Sequence, residues 1–147
     1  MKKFIFRRQP KGYQGSKTFK TKASKIKYAT DLKDALLEFN SNDLLEDDLY
    51  GIVYYFHKTK TGTDADNISK PIWDALKGVL FEDDKKIKLR IGGIIDLSKD
   101  GINMIDVSSM GGKVAAELVR SFNTSDHFAY IECGQLNTNM YRVNLEV

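Results

Sequence analysis

The spacing of apolar residues divides the chain into short strands and amphipathic helices. A brief apolar run at 3–6 predicts a strand, and the polar stretch after it predicts a long loop. From Ser24 the apolar positions recur every three or four residues, which predicts a helix that ends at 40–43. Aliphatic and aromatic residues then fill 49–57 almost continuously, so this segment is predicted to be a strand covered on both faces.

The second half of the chain continues this alternation. Apolar residues at helical spacing predict a helix over 67–79, with Gly78 at its end and Pro71 in or near its first turn. The remaining predicted elements are a strand over 86–97, a helix over 114–122 and a closing pair of strands at 128–132 and 141–147. Alternating helices and strands predict an α+β fold, in which helices pack on a mixed β-sheet.

Length and composition indicate one globular domain over residues 1–147. A chain of 147 residues buries enough surface on folding that neither disulfides nor a structural metal is required. Hydrophobic residues make up 41% of the chain, which argues against a disordered protein. Cys133 is the only cysteine, which excludes an intrachain disulfide and favours a reducing, cytoplasmic location. No run approaches 18 apolar residues, and the first apolar stretch is only 4–6, so we expect neither a membrane span nor a signal peptide.

Charge is distributed unevenly along the chain. The first thirty residues contain ten Lys or Arg and no acid, whereas 31–147 contain 13 basic and 20 acidic residues. A basic arm on an acidic body favours an anionic partner, nucleic acid among them, although the same charge also suits an ordinary solvated surface. The candidate nucleic-acid contacts lie in a basic loop over about 7–24 and are Arg7, Arg8, Lys11, Lys17, Lys20 and Lys22.

Four charged residues lie at the start and along one face of the helix predicted over 67–79. Asp64 and Asp66 face the same way if they form an extended approach to that helix, because positions two apart share a side. Asp66, Lys70 and Asp74 then form one stripe at four-residue spacing. As an ordinary structural residue, Asp66 is expected to be the N-cap of the helix, worth about 1 kcal/mol, and Lys70 the ion-pair partner of Asp66 or Asp74. Capping explains one of the acids but not the whole set.

A second acidic pair, Asp83 and Asp84, follows the predicted helix. Two carboxylates 4 Å apart repel by about 1 kcal/mol in water and about 4 kcal/mol at an effective dielectric constant of 20, so converging acids need a cation. Mg²⁺, or Mn²⁺ in its place, is the expected ion because all the candidate ligands are oxygens. The sequence leaves open whether Asp84 reaches Asp66, since a helix of about 13 residues is about 20 Å long.

Residues 64–87 resemble the RusA family of Holliday junction resolvases, small endonucleases of bacteria and their phages. The family pattern is Asp-x-Asp-Asn-x-x-Lys, then Asp-x-Leu, Gly and Asp-Asp-x-x-Ile. In this chain it reads Asp64-Ala65-Asp66-Asn67-Ile68-Ser69-Lys70, Asp74-Ala75-Leu76, Gly78 and Asp83-Asp84-Lys85-Lys86-Ile87. The likeness fixes both residue types and spacing.

The resemblance implies a homodimer with a compact mixed α/β fold that hydrolyses phosphodiester bonds with a divalent metal. The implied site residues are metal ligands at Asp64, Asp66 and Asp84, an essential lysine at Lys70, and outer-shell or structural candidates at Asp74 and Asp83. The implied substrate is branched DNA, a four-way junction in recombination and repair, whose two-fold symmetry suits a two-fold dimer. A segment of about 92–126 is longer than the family core and is expected to be an insertion.

Two other functions remain open at this point. A DNA-binding module that recognises branched structure without cutting would share the basic arm, with its acids acting as caps and turn residues. A protein-interaction domain would instead use the lysine-rich N-terminus to bind an acidic partner. Both leave the spacing of the Asp–Lys pattern unexplained, so the sequence favours a structure-selective endonuclease.

Overall fold

The computed structural model describes residues 1–99 and 105–142. Its helices and strands, in chain order, are β1 (Lys2–Phe6), α1 (Lys22–Phe39), β2 (Leu49–His57), α2 (Ala65–Ala75), β3 (Ile87–Asp96), α3 (Gly112–Thr124) and β4 (His127–Gln135). Short 3-10 turns lie at Lys17–Phe19, Asp84–Lys86 and Thr138–Met140. Over these described residues the chain has the predicted α+β fold, with three helices on a four-stranded mixed sheet. None of the helices in the described ranges is long and apolar enough to cross a membrane.

The strands lie in the order β1-β4-β2-β3. Strand β4 is antiparallel to both of its neighbours, whereas β2 and β3 are parallel. Because β1 and β2 occupy both edges of β4, the predicted pairing of 128–132 with 141–147 is wrong, and the N-terminal strand takes that place. Residues 143–147 themselves lie outside the described part of the chain.

Helix α2 forms the connection between the parallel strands β2 and β3, which a tight hairpin turn cannot join. Leu49 pairs with Ile87 at one end of the two strands, and His57 pairs with Asp96 at the other. The chain thus enters α2 from one end of the sheet and returns to β3 at the opposite end. This crossover separates the acids that precede α2 from those that follow it.

Two hydrophobic layers hold the sheet between its helices. Helices α1 and α2 pack on one face, where the fully buried Trp73 lies against β2. A Cβ atom on Gly51 would lie 2.6 Å from Cζ2 of Trp73, so this position accepts no side chain without a shift. Helix α3 packs on the other face through Leu118 and Phe122. The predicted core face of α1 is confirmed, since Tyr28, Leu32 and Leu36 are buried.

The segment 92–126, predicted to be an insertion, contains the end of β3, residues outside the description and α3. Helix α3 completes the second hydrophobic layer, on the sheet face opposite α1 and α2. It therefore contributes to the core but lies away from the Asp–Lys pattern on α2. That the segment is an insertion, and that 1–147 forms a single domain, stay predictions.

Candidate active site

Helix α2 begins two residues earlier than predicted because Asp64 caps it. A carboxylate oxygen of Asp64 accepts a hydrogen bond from the backbone N–H of Asn67 at 2.9 Å. The prediction that Asp66 is the cap is therefore wrong, and Asp66 lies inside the first turn, where the helix dipole favours an acid. The prediction that Asp64 and Asp66 face the same way in an extended approach is wrong, since positions two apart on a helix differ by about 200°.

The early start of α2 also changes the position of Pro71. This residue lies inside the helix, not in its first turn as predicted. A proline there has no N–H to donate to the carbonyl group four residues earlier, that of Asn67. The ring of Pro71 is buried, so packing compensates for the missing hydrogen bond.

Asp74 is the centre of a polar cluster on the exposed face of α2. Its carboxylate pairs with the Lys70 ammonium group at 3.2 Å, as the four-residue spacing predicts. The phenol of Tyr13, from the basic loop, donates a hydrogen bond to the same carboxylate at 2.6 Å. Burial and this hydrogen bond raise the pKa of Tyr13, so the phenol stays protonated and keeps donating. The cluster fixes the side chain of Lys70 relative to the loop.

A second contact between the basic loop and α2 involves the Asn67 side chain. The amide nitrogen of Asn67 and the carbonyl oxygen of Gln14 lie 3.5 Å apart, as do the Asn67 side-chain oxygen and the Gln14 backbone nitrogen. Gly12 lies so close to Asn67 that a Cβ atom at this position would overlap the amide group. The loop is thus held on the helix face that carries Lys70.

Next to this contact lies a polar cavity of about 360 Å³. Its walls are the basic loop between Gln9 and Thr18 and, on the other side, Thr63, which immediately precedes the capping Asp64. Lys11 and Lys17 line it, so the concave surface beside the N-terminus of α2 carries positive charge. Such a surface suits a phosphate group of a nucleic acid backbone.

The six side chains predicted to contact nucleic acid differ in whether they form ion pairs with acids of the same chain. Arg7 forms ion pairs with Glu38 on α1 and Glu117 on α3, and Arg8 pairs with Asp31 on α1. These two arginines therefore connect β1 to the helices on both sides of the sheet. The predicted lysines outside the cavity wall, Lys20 and Lys22, are exposed to solvent at the start of α1.

Asp84 lies beyond the other end of α2, at the 3-10 turn that leads into β3. One carboxylate oxygen pairs with Lys77 at 2.9 Å, and the other pairs with Arg90 at 3.1 Å. Burial acts to raise the pKa of Asp84, but the hydrogen bonds from these two cations outweigh it and lower the pKa to about 2. Asp84 is therefore ionised at any physiological pH. Its neighbour Asp83 caps the turn by accepting from the backbone of Lys85.

One chain does not bring the three predicted metal ligands together. Asp64 and Asp66 lie at the N-terminus of α2, and Asp84 lies past its C-terminus, next to Lys77. An 11-residue helix is about 16 Å long. Within residues 1–99 and 105–142, no group of three or more His, Cys, Asp or Glu side chains is placed to hold a metal ion. The oxygen donors have the right chemistry for Mg²⁺, but the single chain does not assemble them, and their role as ligands stays a prediction.

Three contributors to the site were not predicted from the sequence: Tyr13, Lys77 and Arg90. The position of Lys77, three residues after Asp74, was a detectable signal of an ion pair on one helix face. Tyr13 lies 61 residues from Asp74, so only tertiary packing brings the two together. Arg90 lies six residues after Asp84, across the turn into β3, and periodicity within one element does not connect them.

A comparison with protein families identifies the chain. The family model described as Endodeoxyribonuclease RusA matches residues 14–96, from the basic loop to the end of β3. No curated protein matches the chain. The match ends inside the segment 92–126 that the sequence predicts to be an insertion. Because the matched residues form more than half of the chain and include every position of the Asp–Lys pattern, the chain belongs to the RusA endodeoxyribonuclease family.

Proposed function

We propose that the protein is a metal-dependent endonuclease that cuts branched DNA, such as a four-way junction, by hydrolysing phosphodiester bonds in recombination and repair. Family membership supports DNA cleavage. The observation that carries the proposal is the contact between the basic loop and α2, where Tyr13 hydrogen-bonds Asp74 beside Lys70. This contact holds the basic loop, which we propose binds phosphate, next to the Asp–Lys pattern.

Lys70 is the side chain proposed to act at the phosphate. It is largely exposed, with 62% of its side chain accessible, so a DNA strand can reach it. Asp74 holds the ammonium group at 3.2 Å and is itself fixed by Tyr13. A cation held in this way can stabilise the negative charge that develops on a phosphate during hydrolysis.

Asp64, Asp66 and Asp84 are the proposed ligands for Mg²⁺, which Mn²⁺ can replace. When bound, such an ion activates a water molecule and stabilises the leaving oxygen. Since one chain keeps Asp84 at the far end of α2 from the other two acids, we propose a two-fold homodimer in which the third ligand comes from the second subunit. Asp83 then has a structural role as the cap of the turn that carries Asp84.

DNA binding is assigned to the lysines of the basic loop and the start of α1. Lys11 and Lys17 line the polar cavity, and Lys20 and Lys22 are exposed beside it. Lysine contacts to phosphate give affinity that depends on DNA shape and salt more than on base sequence. Arg7 and Arg8, also predicted to bind DNA, are proposed to contribute indirectly, because their charges already pair with acids of the fold.

The second candidate function is a module that binds branched DNA without cutting it. It is favoured by one observation, that no metal-holding group of side chains forms within a single chain over the described ranges. It assigns Asp64 and Asp83 to capping and Asp84 to an internal ion pair, roles that these residues have in the structure. A cleavage assay separates it from the nuclease.

The test uses a labelled four-way junction and a linear duplex of the same sequence, each incubated with Mg²⁺ or with EDTA. We expect the wild type to nick only the junction, and only with Mg²⁺. Asp66→Asn should bind the junction as the wild type does but lose nicking, because a ligand charge is removed from an exposed position. Asp34→Asn, which removes an exposed acid from α1, is the matched control and should keep full activity.

Two results would contradict the proposal in different ways. Nicking by Asp66→Asn at the wild-type rate would remove the catalytic assignment of this residue. A wild type that retards the junction in a gel but never cuts it, with Mg²⁺ or with Mn²⁺, would establish the non-catalytic module.

A further inference from the structure

The Lys77 ammonium group lies among three carboxylates at the C-terminal end of α2. Its Nζ atom is 2.9 Å from Asp84, 3.9 Å from Asp83 and 4.0 Å from Asp74. These carboxylates also raise the pKa of Lys77, mainly through its hydrogen bond to Asp84, so the side chain stays charged. The positive charge of Lys77 thus lies where three carboxylates make the electrostatic potential negative.

Both oxygens of the Asp84 carboxylate are engaged by cations of the same chain. Lys77 binds Oδ1, while Arg90 donates from one nitrogen to Oδ2 at 3.1 Å and to the Asp84 backbone carbonyl at 3.0 Å. The side chain of Asp84 is only 13% exposed. In this state each oxygen of the Asp84 carboxylate already has a cationic partner.

The two cations hold Asp84 differently. Arg90 lies on β3 and contacts both the side chain and the backbone of Asp84, so it fixes the turn as well as the carboxylate. Lys77 has a flexible stem, is 45% exposed and bonds to a single oxygen. A single contact from an exposed, flexible ammonium group is exchanged more readily than the two-point contact of Arg90. Lys77 is therefore the partner that can exchange, and Arg90 the one that stays.

We propose that Lys77 is a tethered counter-ion of Asp84, which neutralises this carboxylate in the free protein and competes with a divalent cation for it. The inference rests on the proposed function, because it takes Asp84 to be a metal ligand. Lys77 keeps a buried carboxylate paired until the metal and the second subunit arrive, and its exposure gives it room to swing into solvent. Binding of the divalent cation is then an exchange of one cation for another.

Arg90 has a different part in this exchange. It retains Asp84 Oδ2 and the turn in place while Oδ1 changes its partner. A guanidinium group is suited to this role, since one of its planar nitrogens carries two N–H donors and serves both acceptors at once. Arg90 on β3 thus fixes the position of Asp84, whereas Lys77 determines how readily Oδ1 of Asp84 binds a divalent cation.

The test measures Mn²⁺ binding to the full chain by the electron paramagnetic resonance signal of the free ion. Lys77→Met should tighten Mn²⁺ binding by roughly three- to tenfold at low salt, because the variant loses both the competitor and its charge. Lys77→Arg should weaken binding by roughly threefold, since arginine binds carboxylates more firmly than lysine does. The differences should shrink as KCl is added, because salt screens exposed charges.

Lys88→Met is the matched control. Lys88 is an exposed lysine on β3 that has no ion pair within the described ranges, so its loss changes net charge equally and should leave Mn²⁺ affinity unchanged. Thermal unfolding without metal verifies that each variant is folded. Lys77→Arg retains the positive charge and the ion pair with Asp84. Its Mn²⁺ affinity therefore tests the competition without deleting the charged group.

The outcomes distinguish this inference from the proposed function. If the wild type binds Mn²⁺ and cuts junctions but all three variants share its affinity, the role of Lys77 is overturned and the nuclease stands. If neither the wild type nor Lys77→Met binds Mn²⁺, and no junction is cut, both proposals are overturned. Opposite shifts in Lys77→Met and Lys77→Arg, with Lys88→Met unchanged, support the exchange.

Discussion

The separation of the proposed ligands along α2 makes a sharp prediction for a dimer of two inactive variants. Asp66→Asn removes a ligand at the N-terminus of the helix, and Asp84→Asn removes the ligand beyond its C-terminus. Each variant alone should bind the junction and fail to nick it. A heterodimer that carries one of each should nick, if every site takes Asp66 from one subunit and Asp84 from the other.

The distances support a shared site. Oxygen ligands lie about 2.1 Å from Mg²⁺, so two ligand oxygens of one ion are at most about 4 Å apart. Helix α2 alone is about 16 Å long, and the Asp84 carboxylate is bound at 2.9 Å to Lys77, which follows that helix. In the heterodimer of Asp66→Asn and Asp84→Asn, one shared site then lacks both Asp66 and Asp84, and the other site retains both. One intact site of two should give about half of the wild-type nicking rate.

The assay co-expresses the two variants with different tags and purifies the heterodimer over both affinity columns in sequence. Product gels should show singly nicked junctions accumulating, since a single intact site cannot cut both strands. Asp34→Asn paired with Asp84→Asn is the control, because its subunits carry an intact Asp66 and it should also give about half the rate. An inactive Asp66→Asn/Asp84→Asn heterodimer beside an active control would refute the shared site and return all ligands to one chain.

Three further predictions concern the helix cap, pH and salt. Asp64→Ala should lower the free energy of unfolding by about 1 kcal/mol in urea titrations, whereas Asp64→Asn should keep the cap and lose only activity. Burial lowers the pKa of His127 in the folded protein. As the pH falls, this residue is therefore protonated in the unfolded chain before it is protonated in the folded one. Stability should therefore be complete above pH about 6.5 and fall below it, and His127→Gln should reduce that fall in urea titrations at pH 5.5 and 7.5. Replacing loop lysines by Gln should flatten the plot of log K for junction binding against log salt by roughly 0.9 per lost contact, while replacing the two arginines should not. The residues for this last comparison are Lys17, Lys20 and Lys22 against Arg7 and Arg8.

The fold was predictable where one short stretch of sequence contains the relevant pattern. The apolar spacing of α1 and the continuous apolar run of β2 both correspond to observed elements. The start of α2 was missed because a single hydrogen bond from the backbone of Asn67 to Asp64 adds two residues to the helix. The pairing of β4 was missed because β1, more than a hundred residues earlier, takes its edge, and periodicity has no information on distant partners.

The candidate site was predictable in its residue types but not in its arrangement. The four-residue spacing predicted an ion pair of Lys70 with Asp66 or Asp74, and the structure pairs Lys70 with Asp74. The distance between the two ends of α2 was left open, and the topology answers it, since parallel strands force the chain to return at the opposite end of the sheet. Tyr13 was not predicted because a loop residue gains its partner only when the loop is packed.

The two ends of α2 also differ in how their acids are neutralised, which makes the two proposals separable. At the C-terminal end, Asp74 and Asp84 have lysine or arginine partners. At the N-terminal end, Asp64 and Asp66 are exposed and form no ion pair with any described residue, so only the cap and the helix dipole stabilise their charge. In the proposed dimer, a divalent cation would meet two open carboxylates from one end of α2 and one carboxylate with cationic partners from the other. The heterodimer experiment tests which subunit supplies Asp84 to a site, whereas the Mn²⁺ titration tests whether Lys77 competes for the Asp84 carboxylate. One of these proposals can therefore be refuted while the other is supported.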